Sequence, residues 1–200
     1  MKRLIIATNN EGKVREIKVI LGGFYDEILS LKDAGIVADV EEDGSTFREN
    51  AAKKAVEISK LVAGDVLADD SGLCVDVLDG APGIYSARYS EDGTDEGNNK
   101  KLLAMVKDEK NRRARFVCAI VLANGGEEQL YVEDFAEGLI IDVPRGENGF
   151  GYDPLFLSEA HDQTFAELPA AVKNEISHRA RALKQLKEEV SKRWENSSAR

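Results

Sequence analysis

Val66-Leu67-Ala68-Asp69-Asp70-Ser71-Gly72 is the stretch on which the reading of this chain turns. Its three apolar residues predict the end of a buried strand. Two carboxylates follow at once, and charge carried to the margin of a core is costly unless it is paired. A hard cation such as Mg²⁺ is one fitting partner, because it takes oxygen ligands from carboxylates, phosphates and water. Ser71 and Gly72 then predict a turn that leaves a hydroxyl and bare backbone beside the acids. The same residues also suit an ordinary solvated turn. The rest of the chain has to decide between the two.

Working outward, Leu4-Ile5-Ile6-Ala7 predicts a short buried strand. After Thr8-Asn9-Asn10 comes a helix with Val14, Ile17, Ile20 and Leu21 on one face. A second helix begins near Thr46, where Thr46 and Glu49 have capping-box spacing. Its apolar residues Phe47, Ala51, Ala55, Ile58 and Val62 advance by three or four. Beyond the acids, Leu73 to Leu78 predicts a further strand, and Gly80-Ala81-Pro82-Gly83 a loop. Asp95 is placed to cap a third helix carrying Leu102, Leu103 and Val106. Phe116 to Leu122 is an unbroken apolar run, as in a central strand buried on both faces. Asn124-Gly125-Gly126 turns it into a returning strand at Leu130 to Phe135, and Leu139-Ile140-Ile141 offers one more. The last helix carries Ile176, Ala180, Leu183, Leu186 and Val190, with Trp194 near its end. Helices and hairpins interspersed in this way predict an α/β fold with a mixed sheet. Without repeats or linkers, residues 1–195 read as one domain and 196–200 as a frayed tail.

Hydrophobic residues make up 42% and charged residues 32%, enough for a sizeable core. With 27 basic and 37 acidic residues the formal charge is −10, which argues against a general nucleic-acid binder. A nucleotide substrate stays open, since a few local cations and Mg²⁺ suffice to hold a triphosphate. The N-terminus turns polar too soon for a signal peptide, and no segment approaches the ~20 apolar residues of a membrane span. Cys74 and Cys118 sit in apolar runs and read as reduced core thiols, so a cytoplasmic protein without a membrane partner is expected.

Four further segments can carry chemistry. In Thr8-Asn9-Asn10-Glu11-Gly12-Lys13, a strand-to-helix turn aims free N–H groups and the helix dipole at one spot, which suits a phosphate. It is not a Walker A loop, and plain N-capping by Asn, the commoner role of such a segment, is the alternative. Glu41-Glu42-Asp43-Gly44 can give a second carboxylate to the cation, or simply complement a helix N-terminus. In Gly146 to Pro154, three glycines admit a close ligand, Phe150 and Tyr152 can wall a flat base, and Asp153 can accept from ring nitrogens; a structural loop is the alternative. Lys173, His178 and Arg179 gather donors near the start of the last helix, where an anion is a reasonable partner.

Taken in order, these residues resemble the Ham1/inosine triphosphate pyrophosphatase family, the bacterial dITP/XTP pyrophosphatases. The resemblance is carried by Thr8-x-Asn10-x-x-Lys13, Glu41-Glu42-x-Gly44-x-Thr46-Phe47-x-Glu49-Asn50-Ala51 and Ala68-Asp69-Asp70-Ser71-Gly72-Leu73. It continues in Gly80 to Tyr89, Gly149-Phe150-Gly151-Tyr152-Asp153-Pro154 and Ile176-Ser177-His178-Arg179. It implies Mg²⁺-dependent hydrolysis of ITP, dITP or XTP to the monophosphate and pyrophosphate, which cleanses the nucleotide pool. It also implies a cytoplasmic homodimer whose protomer is two-lobed, with a long central mixed sheet flanked by helices and the active site in the inter-lobe cleft. By this resemblance Thr8, Asn9, Asn10, Glu11, Gly12 and Lys13 cradle the phosphates. Asp70 is the general base and a Mg²⁺ ligand, with Glu41, or else Glu42, as the other metal carboxylate. Ser71, Phe150, Gly151, Tyr152, Asp153, Lys173, His178 and Arg179 complete the nucleotide site. Ala170-Ala171-Val172 departs from the pattern, since relatives often carry acids there. Two alternatives remain: a nucleotide-binding regulator that does no chemistry, and a house-cleaning pyrophosphatase for modified pyrimidine nucleotides. The intact acidic pair and Lys13 weigh against the regulator.

Overall fold

The computed structural model describes residues 2–198. Its strands are β1 (Arg3–Ile6), β2 (Glu27–Ser30), β3 (Asp65–Val75), β4 (Arg113–Asn124), β5 (Glu127–Ile140) and β6 (Phe156–Ser158). The helices are α1 (Glu11–Ile20), α2 (Phe47–Ser59), α3 (Asp95–Met105), α4 (Ala170–Ile176) and α5 (His178–Ser198). Among the described residues the strands form a six-stranded sheet in the order β2-β1-β3-β4-β5-β6. β1 runs parallel to β2 and β3, whereas β5 and β6 are antiparallel, so the sheet is mixed, as expected. No helix of the described residues is long and apolar enough to cross a membrane.

The turn expected at Ser71-Gly72 is absent: β3 runs unbroken through the acidic pair from Asp65 to Val75. A strand can carry adjacent carboxylates through a core when both find partners, and these do. β5 likewise joins the two strands expected at 130–135 and 139–141. β2 was not anticipated, because Glu27-Ile28-Leu29-Ser30 is too short to show a period of its own. Its place is set by parallel pairing, with Leu4 opposite Ile28.

Helix ends differ in detail. Thr46 caps α2 as expected, accepting the Glu49 N–H at 3.1 Å, while the Glu49 carboxylate turns to the Ser45 N–H at 2.7 Å. Thr94 rather than Asp95 caps α3, accepting the Gly97 N–H at 3.0 Å. The expected last helix is interrupted at Ser177, which is extended at ψ 158°, so Lys173 lies on α4 and His178 begins α5. α5 continues to Ser198, and residues 199–200 of the expected tail lie outside the described residues.

The chain divides into two compact units. Unit 1 comprises Met1–Asp70, Cys118–Asp134 and Arg179–Arg200; unit 2 comprises Ser71–Val117 and Phe135–His178. In unit 1 the strand period of two sorts the core into two layers. Leu4, Ile6, Leu67, Ile120 and Leu122 cluster with Ile17 and Leu21 near α1 and with Leu183 and Leu186 of α5. Ile5, Ala7, Val66, Ala68, Val121 and Ala123 cluster instead with Ala51, Ala55 and Ile58 of α2. Both faces are covered, which is why these strands read as continuous apolar runs. Unit 2 has its own core, built on Leu73, Val75, Leu102, Phe116, Tyr152, Phe156 and Phe165.

Candidate active site

Alternation along β3 sends its two aspartates to opposite faces. Asp69 follows Leu67 toward α1 and α5. Its Oδ1 is ion-paired with the Lys13 ammonium, and its Oδ2 accepts from Arg179 Nε and from the Cys118 thiol, each at 2.9 Å. Arg179 Nη1 also donates to Glu16 at 2.5 Å. Burial pushes the Asp69 carboxyl up, but the Arg179 and Lys13 charges outweigh it and hold the group well below the usual carboxylate range. Burial and the Asp69 charge push the Cys118 thiol up, so it stays a neutral donor. Asp69 thus ties a lysine of α1 and an arginine of α5 to the middle of the sheet.

Asp70 follows Val66 and Ala68 toward α2. Asn50 Nδ2 donates to its Oδ2 at 3.1 Å, and Lys54 Nζ lies 4.0 Å from Oδ1. The same ammonium is 3.2 Å from Glu42 and donates to the Asp69 carbonyl at 3.1 Å. Burial is the largest influence on Asp70 and raises its pKa; Lys54 and Lys13 offset only part of this, and Glu42 adds to the rise. A buried carboxylate with a raised proton affinity suits a general base.

The loop after β1 is fixed by its own side chains. Thr8 Oγ1 accepts the Asn10 N–H at 3.2 Å, and Asn10 Oδ1 caps α1 by accepting the Lys13 N–H at 3.0 Å. Glu11 is exposed in the first turn and Gly12 is buried. Thr8, Asn9 and Asn10 line a cavity of about 220 Å³ together with Asp39, Glu42 and Lys54. Of the two candidate metal carboxylates, Glu42 is half-buried and faces Lys54, whereas Glu41 is exposed and acts on Lys53. Among the described residues no group of three or more His, Cys, Asp or Glu is arranged to hold a metal. The fit for Mg²⁺ therefore rests on the Asp70–Glu42 pair, two hard oxygen donors drawn to one ammonium.

Unit 2 holds the other expected residues. Asp153 Oδ2 accepts the Phe150 N–H at 3.0 Å and Lys173 Nζ at 2.5 Å. Lys173 Nζ also lies 4.9 Å from the Phe150 ring centroid, within cation–π reach. Gly149 adopts φ +77°, and a Cβ there would collide with the Asp153 carboxylate. Phe150 is half-buried and offers its ring, but Tyr152 is buried and gives its hydroxyl to the Ser86 carbonyl at 2.8 Å. Tyr152 is thus a loop anchor in this structure, and Asp153 is engaged in holding the loop together. His178 stacks on Phe116 with centroids 4.8 Å apart, and Ser71 is half-buried on β3.

Sequence reasoning missed Asn50, Lys54, Glu16 and Cys118. Asn50 and Lys54 left a trace, since i and i+4 positions share a helix face and Thr46 fixes the phase of α2. Glu16 and Cys118 left none: each is defined by a partner far away in the chain.

The model of the Ham1 family matches residues 4–189. A dITP/XTP pyrophosphatase of Clostridium perfringens is 52% identical over 199 residues, covering 95% of this chain and 98% of the relative. A dITP/XTP pyrophosphatase of Bacillus licheniformis is 52% identical over 189 residues, covering 93% and 96%. The solved structure of the Staphylococcus aureus Ham1 protein superposes with a TM-score of 0.85 at 42% identity, over 96% of this chain and 100% of that one. A match of this extent, on a fold that places the acidic pair inside a mixed sheet, leaves one conclusion: the chain belongs to the Ham1 family.

Proposed function

We propose that the chain hydrolyses non-standard purine nucleoside triphosphates of the ITP, dITP and XTP kind to the nucleoside monophosphate and pyrophosphate, clearing them from the nucleotide pool. The pyrophosphatase names of its relatives support the reaction. The observation that carries the reading is the division of labour on β3: Asp69 is neutralised by two cations, and Asp70 keeps a raised proton affinity beside Glu42 and Lys54. Asp70 takes the proton of the attacking water. Lys13, Lys54 and the free N–H groups opening α1 stabilise charge on the phosphates and the departing pyrophosphate. Asp70 and Glu42, in preference to Glu41, would hold Mg²⁺, which would supply neutralisation of phosphate charge there.

Phe150 offers its ring to the base, with Lys173, His178, Ser71 and the Gly151 to Asp153 backbone as the polar surround. Donors that pair with a 6-oxo group and are left unpaired by a 6-amino group reject adenine. Arg179 acts on the site through Asp69. The resemblance supports a cytoplasmic homodimer acting on a small-molecule nucleotide rather than on nucleic acid.

The test is to incubate the purified protein with ITP, dITP, XTP, dUTP, ATP and GTP, with and without Mg²⁺, and to identify the products. Pyrophosphate with IMP, dIMP or XMP, formed only with Mg²⁺, is expected. Orthophosphate in place of pyrophosphate refutes the reaction class. Turnover confined to dUTP selects the pyrimidine alternative, and binding without turnover selects the regulator.

A further inference from the structure

We propose that Asp95 and Asn99 are positioning residues for the base-recognition loop, fixing the ring of Phe150 by gripping Gly151 from α3. The inference rests on the function proposed above. Gly151 sits at φ +62° between Phe150 and Tyr152. Its N–H donates to Asp95 Oδ2 at 2.7 Å, and its carbonyl accepts from Asn99 Nδ2 at 2.9 Å. Residues i and i+4 lie one above the other on a helix face, so two side chains one turn apart reach both main-chain polar groups of a single residue. The Asp95 bond is charge-assisted, the stronger kind.

The Asn99 amide shows what the grip costs. Among the described residues its Oδ1 is buried without a hydrogen-bond partner, a state that most buried acceptors avoid. Turning the amide over would relieve nothing at Gly151, since it would set an oxygen against the Gly151 carbonyl. The side chain is therefore oriented by its donation to Gly151. The neighbours of Gly151 are tied elsewhere in the same unit, Phe150 N–H to Asp153 and the Tyr152 hydroxyl to Ser86. α3 is itself held, by the Thr94 cap and by Asn98, which accepts the Ser90 N–H at 2.7 Å and donates to the Ala87 carbonyl at 3.3 Å. Gly151 is thus where a fixed helix sets the backbone from which the Phe150 ring projects.

The test compares wild type, Asn99→Ala, Asp95→Ala, Asp95→Asn and Phe150→Ala. Affinity for dIMP is measured by calorimetry with Mg²⁺ present, independently of turnover, and kcat and KM are measured with dITP. Asn99→Ala and Asp95→Ala are each expected to weaken dIMP binding and raise KM by about tenfold, the usual scale for a lost hydrogen bond to a positioned group, with kcat changed by less than about threefold. Asp95→Asn, which keeps an acceptor oxygen, recovers most of the affinity lost in Asp95→Ala. In a Phe150→Ala background the Asn99→Ala effect shrinks to less than about twofold, because the grip then has no ring to place. Unchanged dIMP affinity in the alanine variants, or full additivity with Phe150→Ala, overturns the inference. Should Asn99→Ala fail to fold, the Asp95→Ala and Asp95→Asn pair decides alone. A wild type that binds dIMP without hydrolysing dITP refutes the proposed function and leaves the grip to be judged by the dIMP affinities.

Discussion

Neighbouring aspartates with opposite surroundings should respond oppositely to the same substitution. Asp69→Asn removes one charge from a network in which the Asp69 side chain is fully buried and that of Arg179 is 2% exposed. Breaking one side of a buried pair typically costs about 3–5 kcal/mol, because the partner is left uncompensated. Arg179 keeps Glu16 at 2.5 Å, which places the expected loss near the lower end, about 3 kcal/mol. For a chain of this size that lowers the thermal midpoint by about 6–12 °C. Asp70→Asn acts the other way. Its raised pKa means that folding disfavours the charged form, so a neutral amide removes a cost while still accepting from Asn50. Stability should stay within about 1 kcal/mol of wild type or rise. Turnover of dITP should meanwhile fall by about 10²–10⁴-fold as the base is lost. The assay is thermal and urea unfolding followed by far-UV circular dichroism and by the fluorescence of Trp194, the single tryptophan, which belongs to unit 1. An Asp69→Asn protein as stable as wild type, or an Asp70→Asn protein less stable than Asp69→Asn, would refute the assignment of the two faces.

Glu42→Gln should raise the Mg²⁺ concentration needed for half-maximal turnover by about tenfold or more, and Glu41→Gln by less than about twofold; the Mg²⁺ titration of each variant checks this, and the reverse order would restore Glu41 as the metal carboxylate. Gly149→Ala meets both a left-handed backbone and the Asp153 carboxylate. It should cost about 1–3 kcal/mol and raise KM more than it lowers kcat, as unfolding and steady-state kinetics would show; a protein unchanged in both would mean that the loop yields without strain.

The core of unit 1 was legible because both faces of its strands are buried, and Leu4 to Ala7 and the Cys118 to Leu122 part of the run from Phe116 announce this as apolar runs. Thr46 was legible for a similar reason, since a cap acts over three residues. The turn read into Ser71-Gly72 failed on the same stretch that pointed to function. Composition said that two acids and a glycine leave the sheet, and only the three-dimensional partners Lys13, Arg179, Asn50 and Lys54 let the strand continue. Those partners lie on α1, α5 and α2, so nothing local in 66–72 discloses them. Tyr152 is a second example. Its aromatic character was legible but its anchoring was not, because the Ser86 carbonyl that claims its hydroxyl comes from a distant segment. What stays hidden from a single sequence is the partner, and the partner decides whether a polar residue binds substrate or holds the fold.

The charges named in unit 1 lead to a last prediction about metal removal. Lys13, Lys54 and Arg179 supply three positive charges, and Asp69, Asp70, Glu42 and Glu16 supply four negative ones. That network alone is therefore acidic by one charge and opposes a triphosphate. A bound divalent cation turns the same network to a net charge of plus one, and attraction replaces repulsion at short range, where salt screens little. Metal should thus be needed for binding as well as for chemistry. With EDTA in excess, the affinity for an α,β-methylene analogue of ITP, which resists cleavage, measured by calorimetry should fall by at least about tenfold relative to Mg²⁺, the smallest change that such a reversal of sign would give inside a partly buried site. Inosine, which has the same base but no phosphate, should bind equally well in both conditions. If the analogue binds as tightly in EDTA as in Mg²⁺, the acidic network is not what the phosphates meet, and Asp70 and Glu42 lose their place beside them.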